Sequence, residues 1–166
     1  VTYRALQLLS DRYYDIMDKN KDRSGLESVL AIMEGFMTFC EQNFLYSEVM
    51  LDYFSLVRST EDGSNEAKLT EAVKESIYYI KIQDIQNLPF KLTVKEIERG
   101  KRDRSILCPI DPMLMTLYGW SLVIGYAKVI SASGKSATPL FHVSLKDLKA
   151  LNLKIARNIF TSKTIE

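Results

Sequence analysis

Histidine and cysteine are scarce in this chain. Its 166 residues hold one His, His142, and two Cys, Cys40 and Cys108. Two widely separated cysteines make neither a disulfide framework nor a metal-ligand spacing, so a reduced, intracellular protein is expected. The lone His142 follows Pro139-Leu140-Phe141, which rules out the Glu-x-x-His pattern of helical di-iron sites. No G-x-S-x-G accompanies it, so a hydrolase triad has no nucleophile elbow. Paired acid, base or metal-binding groups at catalytic spacing are likewise not visible, and the expectation is a protein that is not an enzyme and takes no metal or cofactor.

Net charge is also small. Lys plus Arg number 22 and Asp plus Glu number 21, which leaves no electrostatic footprint for nucleic acid or an anionic membrane. The locally basic run Lys95 to Arg104 is interrupted by Glu96, Glu98 and Asp103 and reads as a solvated face. No basic segment leads into an apolar one at the start, as a signal peptide requires. "SASGKSAT" resembles the end of a phosphate loop, but Val129 stands where the first glycine is needed, and no strand precedes it.

Glycine and proline are few, 7 and 4, and strand alternation appears nowhere at length. What is present is helical periodicity, and the fold expected is all-α, a bundle of about six to seven helices in a single domain over residues 1–166. The first helix spans about Tyr3 to Asp18. Ser24-Gly25-Leu26-Glu27 is a capping box for the second, which ends near Asn43 and carries a broad apolar face. A third spans about Leu45 to Ser59, burying Val49, Met50, Tyr53, Phe54 and Val57, and "STEDGSNE" follows as a loop. A fourth runs from about Glu66 to Asn87, its turns marked by Leu69, Val73, Ile77, Ile80 and Asp84, and Pro89 stops it. Thr93 to Glu96 is a second capping box, opening a short helix that ends by Gly100, and "GKRDRS" is a solvated link. Asp111 as cap and Pro112 as first residue open a long helix to about Ser131. Ser144 with Asp147 starts the last, to about Thr161.

The long helix from Pro112 is apolar, yet Thr116, Ser121 and Lys128 and the lack of anchors at both ends argue for a buried helix rather than a membrane span. Small residues Gly119, Ser121, Gly125 and Ala132 are assigned to one side and Leu114, Leu117, Trp120, Ile124 and Val129 to another. The last helix is also two-sided, with Leu145, Leu148, Leu151, Ile155 and Ile159 on one stripe and Leu153, Ala156 and Phe160 on a second. A terminal helix of a monomer needs one apolar stripe; two point to a core on one side and a second copy on the other, the alternative being a helix wedged centrally in a monomeric bundle.

"SGLESVLAIMEGFMTFCEQNFLYSEVMLDYFSLVRS" and "IERGKRDRSILCPIDPMLMTLYGWSLVIGYAKVIS" resemble the ligand-binding and dimerisation region of TetR-family transcriptional regulators. The likeness lies in helix order: an aromatic-x-x-x-Asn turn, a crossing helix, then a Gly-containing polar link before Asp-Pro and a long apolar helix. "VTYRALQLLSDRYYDIM" is similar to the helix that joins that family's DNA-reading head to its body, which casts residues 1–18 as a connecting helix. The chain opens without Met or a cap, and a piece of a longer protein, lacking the helix-turn-helix head, is the expectation.

The resemblance implies a cytoplasmic, ligand-responsive repressor that acts as a homodimer, touches DNA only through that head and meets no membrane. It implies a small apolar or aromatic effector among the central helices. The candidate ligand-binding residues are Met33, Phe36, Met37, Cys40, Tyr53, Phe54, Tyr78, Ile82, Tyr118 and Trp120. Met adapts to ligand shape, and Tyr and Trp set polar handles on an apolar wall, though plain core packing accounts for such residues too. The candidate dimer interface is Ser121, Gly125, Leu148, Leu151, Ile155 and Ile159. The alternative is a helical adaptor, a protein-interaction module with no small-molecule pocket.

Overall fold

The computed structural model describes residues 1–57, 75–134, 136 and 141–165, with side chains described through residue 54 of the first span. The sequence-predicted turns at Leu69 and Val73, the loop after Ser59 and most of the loop before His142 lie outside the described residues, as does the side chain of Val57. Within the described residues are seven α-helices: α1 (Thr2–Lys19), α2 (Gly25–Gln42), α3 (Phe44–Val57), α4 (Ile77–Ile85), α5 (Leu88–Arg102), α6 (Pro112–Ser133) and α7 (Leu145–Thr161). The fold is all-α.

Helix α2 is the central element and packs against α1, α3, α5, α6 and α7. Its apolar residues wrap round the axis, so that Val29, Ile32, Met37, Phe39 and Cys40 are all buried, and a helix apolar on most sides belongs in a core. Helices α6 and α7 form an antiparallel pair, because the C-terminal turn of α7 meets the link before α6: the N–H groups of Leu107 and Cys108 both donate to the Phe160 carbonyl, at 2.9 and 3.2 Å.

The start of α2 makes the closest backbone approach found at the described glycines. A Cβ placed on Gly25 would lie 2.1 Å from the Gly100 backbone nitrogen and 2.3 Å from its Cα. Helices α2 and α5 therefore cross backbone on backbone at this pair. Three N–H groups in the first turn of α2 are capped at the same point. Ser24 Oγ accepts from Glu27 (3.2 Å), Asp103 Oδ2 from Gly25 (2.7 Å) and Ser105 Oγ from Leu26 (3.0 Å). The link "GKRDRS", expected to be solvated, is thus a cap for a helix far away in sequence. Glu27, expected to complete a capping box, instead pairs with Arg157 of α7 at 2.8 Å.

Pro89 was expected to stop a helix and Thr93 to start one, and the structure corrects both. Pro89 lies in the first turn of α5, where its missing N–H costs nothing and its fixed φ suits the helix. Thr93 sits inside α5 and donates its hydroxyl hydrogen to the Pro89 carbonyl at 2.9 Å. Glu96 is buried and bound to Arg99 at 2.6 Å rather than reaching back to a cap. Gly100 does not end the helix, which continues to Arg102. Helix α4, expected to start near Glu66, begins at Ile77 after the cap Ser76, and Ile77 and Ile80 are exposed.

Helix α6 begins as expected, with Asp111 Oδ2 accepting from the N–H groups of Met113 (2.9 Å) and Leu114 (3.1 Å). It is the one helix among the described residues long and apolar enough to cross a membrane. One face, with Met115, Gly119, Val123, Ala127 and Ile130, is buried. The division of the small residues is corrected here: Gly119 faces the core, while Ser121, Gly125 and Ala132 lie outside with Leu114 and Leu117.

Replacing Gly25 by Ala should force the α2–α5 crossing apart and cost about 1–3 kcal/mol. Asp103→Ala should cost about 1 kcal/mol through the lost cap. Urea denaturation of the two variants beside wild type checks both; an unchanged midpoint for Gly25→Ala would rule out the close crossing. Desolvation opposes ionisation of Asp103, but hydrogen bonds from Ser105 and Gly25, with Arg99 nearby, outweigh it and hold the carboxyl below its usual range. Its contribution is accordingly present above the ordinary aspartate pKa and lost as the pH falls through the lower folded-state value.

Candidate functional site

Six of the seven helices enclose an apolar cavity. Helix α1 contributes Leu6, Leu9 and Tyr13; α2 contributes Val29, Ile32, Met33 and Phe36; α3 contributes Phe54. Helix α5 contributes Pro89, Phe90, Thr93 and Ile97, α6 contributes Met115, Thr116, Gly119, Trp120 and Val123, and α7 closes the wall with Phe160. The free space at its centre is about 30 Å³. That is room for about one or two waters, far short of the roughly 300 Å³ at which small-molecule pockets begin. An occupant larger than this has to push the wall outward.

The wall has two chemical zones. Phe54, Phe90 and Trp120 form an aromatic cluster, with Trp120 6.4 Å from Phe54 and 5.4 Å from Phe90 between ring centroids. Tyr13, Thr93 and Thr116 are the polar residues of the wall. Among the described residues no charged side chain lines the cavity. Tyr13 packs edge-on to Phe36 at 6.3 Å. Burial, with the nearby Cys40 adding to it, pushes its phenol well above the ordinary tyrosine range, so it stays neutral.

Of the sequence-predicted pocket residues, Met33, Phe36, Phe54 and Trp120 come together on this wall. Met37 and Cys40 are buried in the core outside it. Tyr53 is half-buried beside Phe54, 6.4 Å from it, and Ile82 is buried on α4 away from the cavity. Tyr78 is 61% exposed at the start of α4, because the helix begins one residue earlier and turns that side chain to solvent near Lys81. Tyr118 points to the opposite side of α6 and meets Phe160 edge-on at 6.2 Å. The α1, α5 and α7 residues of the wall lie outside the sequence-predicted set. The α5 residues were concealed by reading Pro89 as a stop; the small Gly119 in an apolar run was the signal available for the cavity floor.

A second concavity, a groove of about 740 Å³, lies on the outer side of α6 and α7. Leu114, Leu117, Tyr118 and Ser121 of α6 face Ile155 and Ile159 of α7 across it, and Ile165 closes one end. Of the candidate dimer residues, Ser121, Ile155 and Ile159 line this groove. Leu151 is exposed on α7, Gly125 is exposed with no atom within 4 Å of a Cβ placed on it, and Leu148 is half-buried. The inner stripe of α7 is Ala156 and Phe160.

At the far end of α6, the Tyr126 hydroxyl donates to Glu41 of α2, and Glu41 pairs with Lys149 of α7 at 3.0 Å. This network ties α2, α6 and α7 together at the end remote from the Gly25–Gly100 crossing.

Comparison of the chain with family models, with curated proteins and with solved structures finds no match.

Burial pushes the Cys40 thiol up to about 12. Cys40 and Cys108 are both buried. A thiol-specific chromogenic reagent at pH 8 should therefore titrate neither cysteine in the native protein and both in denaturant; a fast native reaction would mean that Cys40 is accessible. Because the folded thiol is held neutral, its contribution to stability is whole below the ordinary thiol pKa and is lost as pH rises through about 9 towards 12.

Proposed function

We propose that the chain is the effector-binding and homodimerisation domain of a ligand-responsive transcriptional regulator of TetR type. In this reading it is a cytoplasmic repressor without catalytic activity. It reaches DNA through a separate head, and α1 is the connecting helix. The observation that carries the reading is the composition of the cavity wall: Leu6, Leu9 and Tyr13 of α1 stand directly on the cavity. A small apolar or aromatic occupant that widens the cavity bears on the helix that would carry the output. No intermediary is needed between ligand and α1.

The energetic condition is that the occupant favours one arrangement of α1 over another by about 1–3 kcal/mol. A cavity of about 30 Å³ suits that condition, because binding and displacement of the wall become one event. The exposed apolar residues on the outer faces of α6 and α7 support the dimer. Leu114, Leu117, Leu151 and Ile155 are each more than two-fifths exposed, which is unusual for neighbouring aliphatic residues on two adjacent helices of a monomer.

The helical-adaptor reading is favoured by one observation, the same narrowness of the cavity. The two part in a thermal-shift screen. A regulator should gain stability with members of a broad panel of apolar and aromatic compounds, by RT ln(1 + [L]/Kd); an adaptor should gain none.

Native mass spectrometry should find two subunits in wild type and one in Leu151→Arg or Gly125→Arg, since a charge placed in an apolar interface is left without a partner. An unchanged dimer in both variants would remove α6 and α7 as its interface.

A further inference from the structure

From the chemistry of the cavity wall we infer that the effector is a neutral, single-ring aromatic molecule carrying one hydrogen-bond donor, an O–H or N–H. The inference rests on the effector-cavity reading above and narrows it to a chemical class.

Size comes first. About 30 Å³ is open at the centre, and the nearest side chain to a Cβ on Gly119 is Met33, at 3.7 Å. Met33 is unbranched and re-packs at low cost, so the wall can yield to one ring more readily than to a fused or extended body. Charge comes second. With no charged side chain on the wall among the described residues, an anion or cation entering the cavity would lose its hydration with nothing to replace it. Shape comes third. Trp120, Phe54 and Phe90 meet at tilted or edge-on angles of 57° to 65°, an arrangement that accepts a further ring edge-on or offset.

The donor follows from where the hydroxyl hydrogens go. Thr93 Oγ1 donates to the Pro89 carbonyl at 2.9 Å, and Thr116 Oγ1 donates to the Pro112 carbonyl at 2.8 Å. Each hydrogen is committed to its own helix, and what remains on each oxygen is acceptor capacity. Tyr13, the other polar side chain of the wall, carries a phenol that can both give and accept a hydrogen. The two threonines therefore match a ligand that gives a hydrogen, and the Tyr13 phenol oxygen can accept one as well.

Trp120 is the only tryptophan of the chain and stands on the wall, so its fluorescence, excited selectively, reports occupancy. The probes are p-cresol, 4-methylanisole and p-toluate, which share a ring and a methyl group and differ in donor and charge. Expected are a saturable change with p-cresol, affinity about fivefold weaker for 4-methylanisole, and no saturable change with p-toluate. Thr116→Val or Thr93→Val, near-isosteric changes, should abolish the preference for p-cresol while both neutral probes still bind; Thr→Ser at the same position should restore it. Equal binding of p-cresol and 4-methylanisole to wild type overturns the donor assignment, and tighter binding of p-toluate overturns the exclusion of charge. If none of the three binds but other members of the thermal-shift panel do, this inference falls and the regulator reading stands. If neither set binds, both fall.

Discussion

At Gly25 and Gly100 two helix backbones touch with no side chain between them, and the placement of α1, α2 and α5 follows from that contact. It brings the C-terminal turn of α5 against the first turn of α2, where Asp103 and Ser105 take two N–H groups that would otherwise lack partners. It also brings Arg99 to the turn between α1 and α2. There the guanidinium donates to the carbonyls of Arg23 (2.5 Å) and Asn20 (3.4 Å) while its charge is matched by Glu96. One crossing thus fixes the relative placement of three helices. The opposite half of α5, from Pro89 to Thr93, lies away from this clamp and forms cavity wall together with Ile97.

The fold was legible wherever one residue's chemistry sufficed. Ser24, Asp111 with Pro112, and Ser144 each satisfy N–H groups within the next three residues, and each marks a real helix start. The reading failed where the same residue has two uses. Proline ends a helix from behind and begins one from the front, and nothing local to Pro89 separates the two. Thr93 three residues before Glu96 has the spacing of a capping box, but a threonine inside a helix can give its hydrogen to the carbonyl four residues back, and it does so here. Asp103 and Ser105 read as polar surface because their partner, the start of α2, is remote in sequence.

The candidate site was half legible for a related reason. Periodicity says which face of a helix is apolar but not which part of that face meets a void and which meets other side chains. Met33, Phe36, Met37 and Cys40 share the apolar face of α2, yet two of them line the cavity and two are packed solid. Tyr118 and Trp120 are two residues apart on α6, and the helical turn between them places one in the outer groove and the other on the cavity wall.

Arg99 has a mechanical consequence. By holding the carbonyls just past the end of α1, it gives that helix a fulcrum at Lys19. At about 1.5 Å per residue, Tyr13 and Leu9 lie roughly 9 and 15 Å from the fulcrum and Thr2 about 26 Å from it. A rigid arm pushed at those two points would magnify the movement about two- to threefold at its tip, so that about 1 Å at the cavity would become about 2–3 Å at the far end.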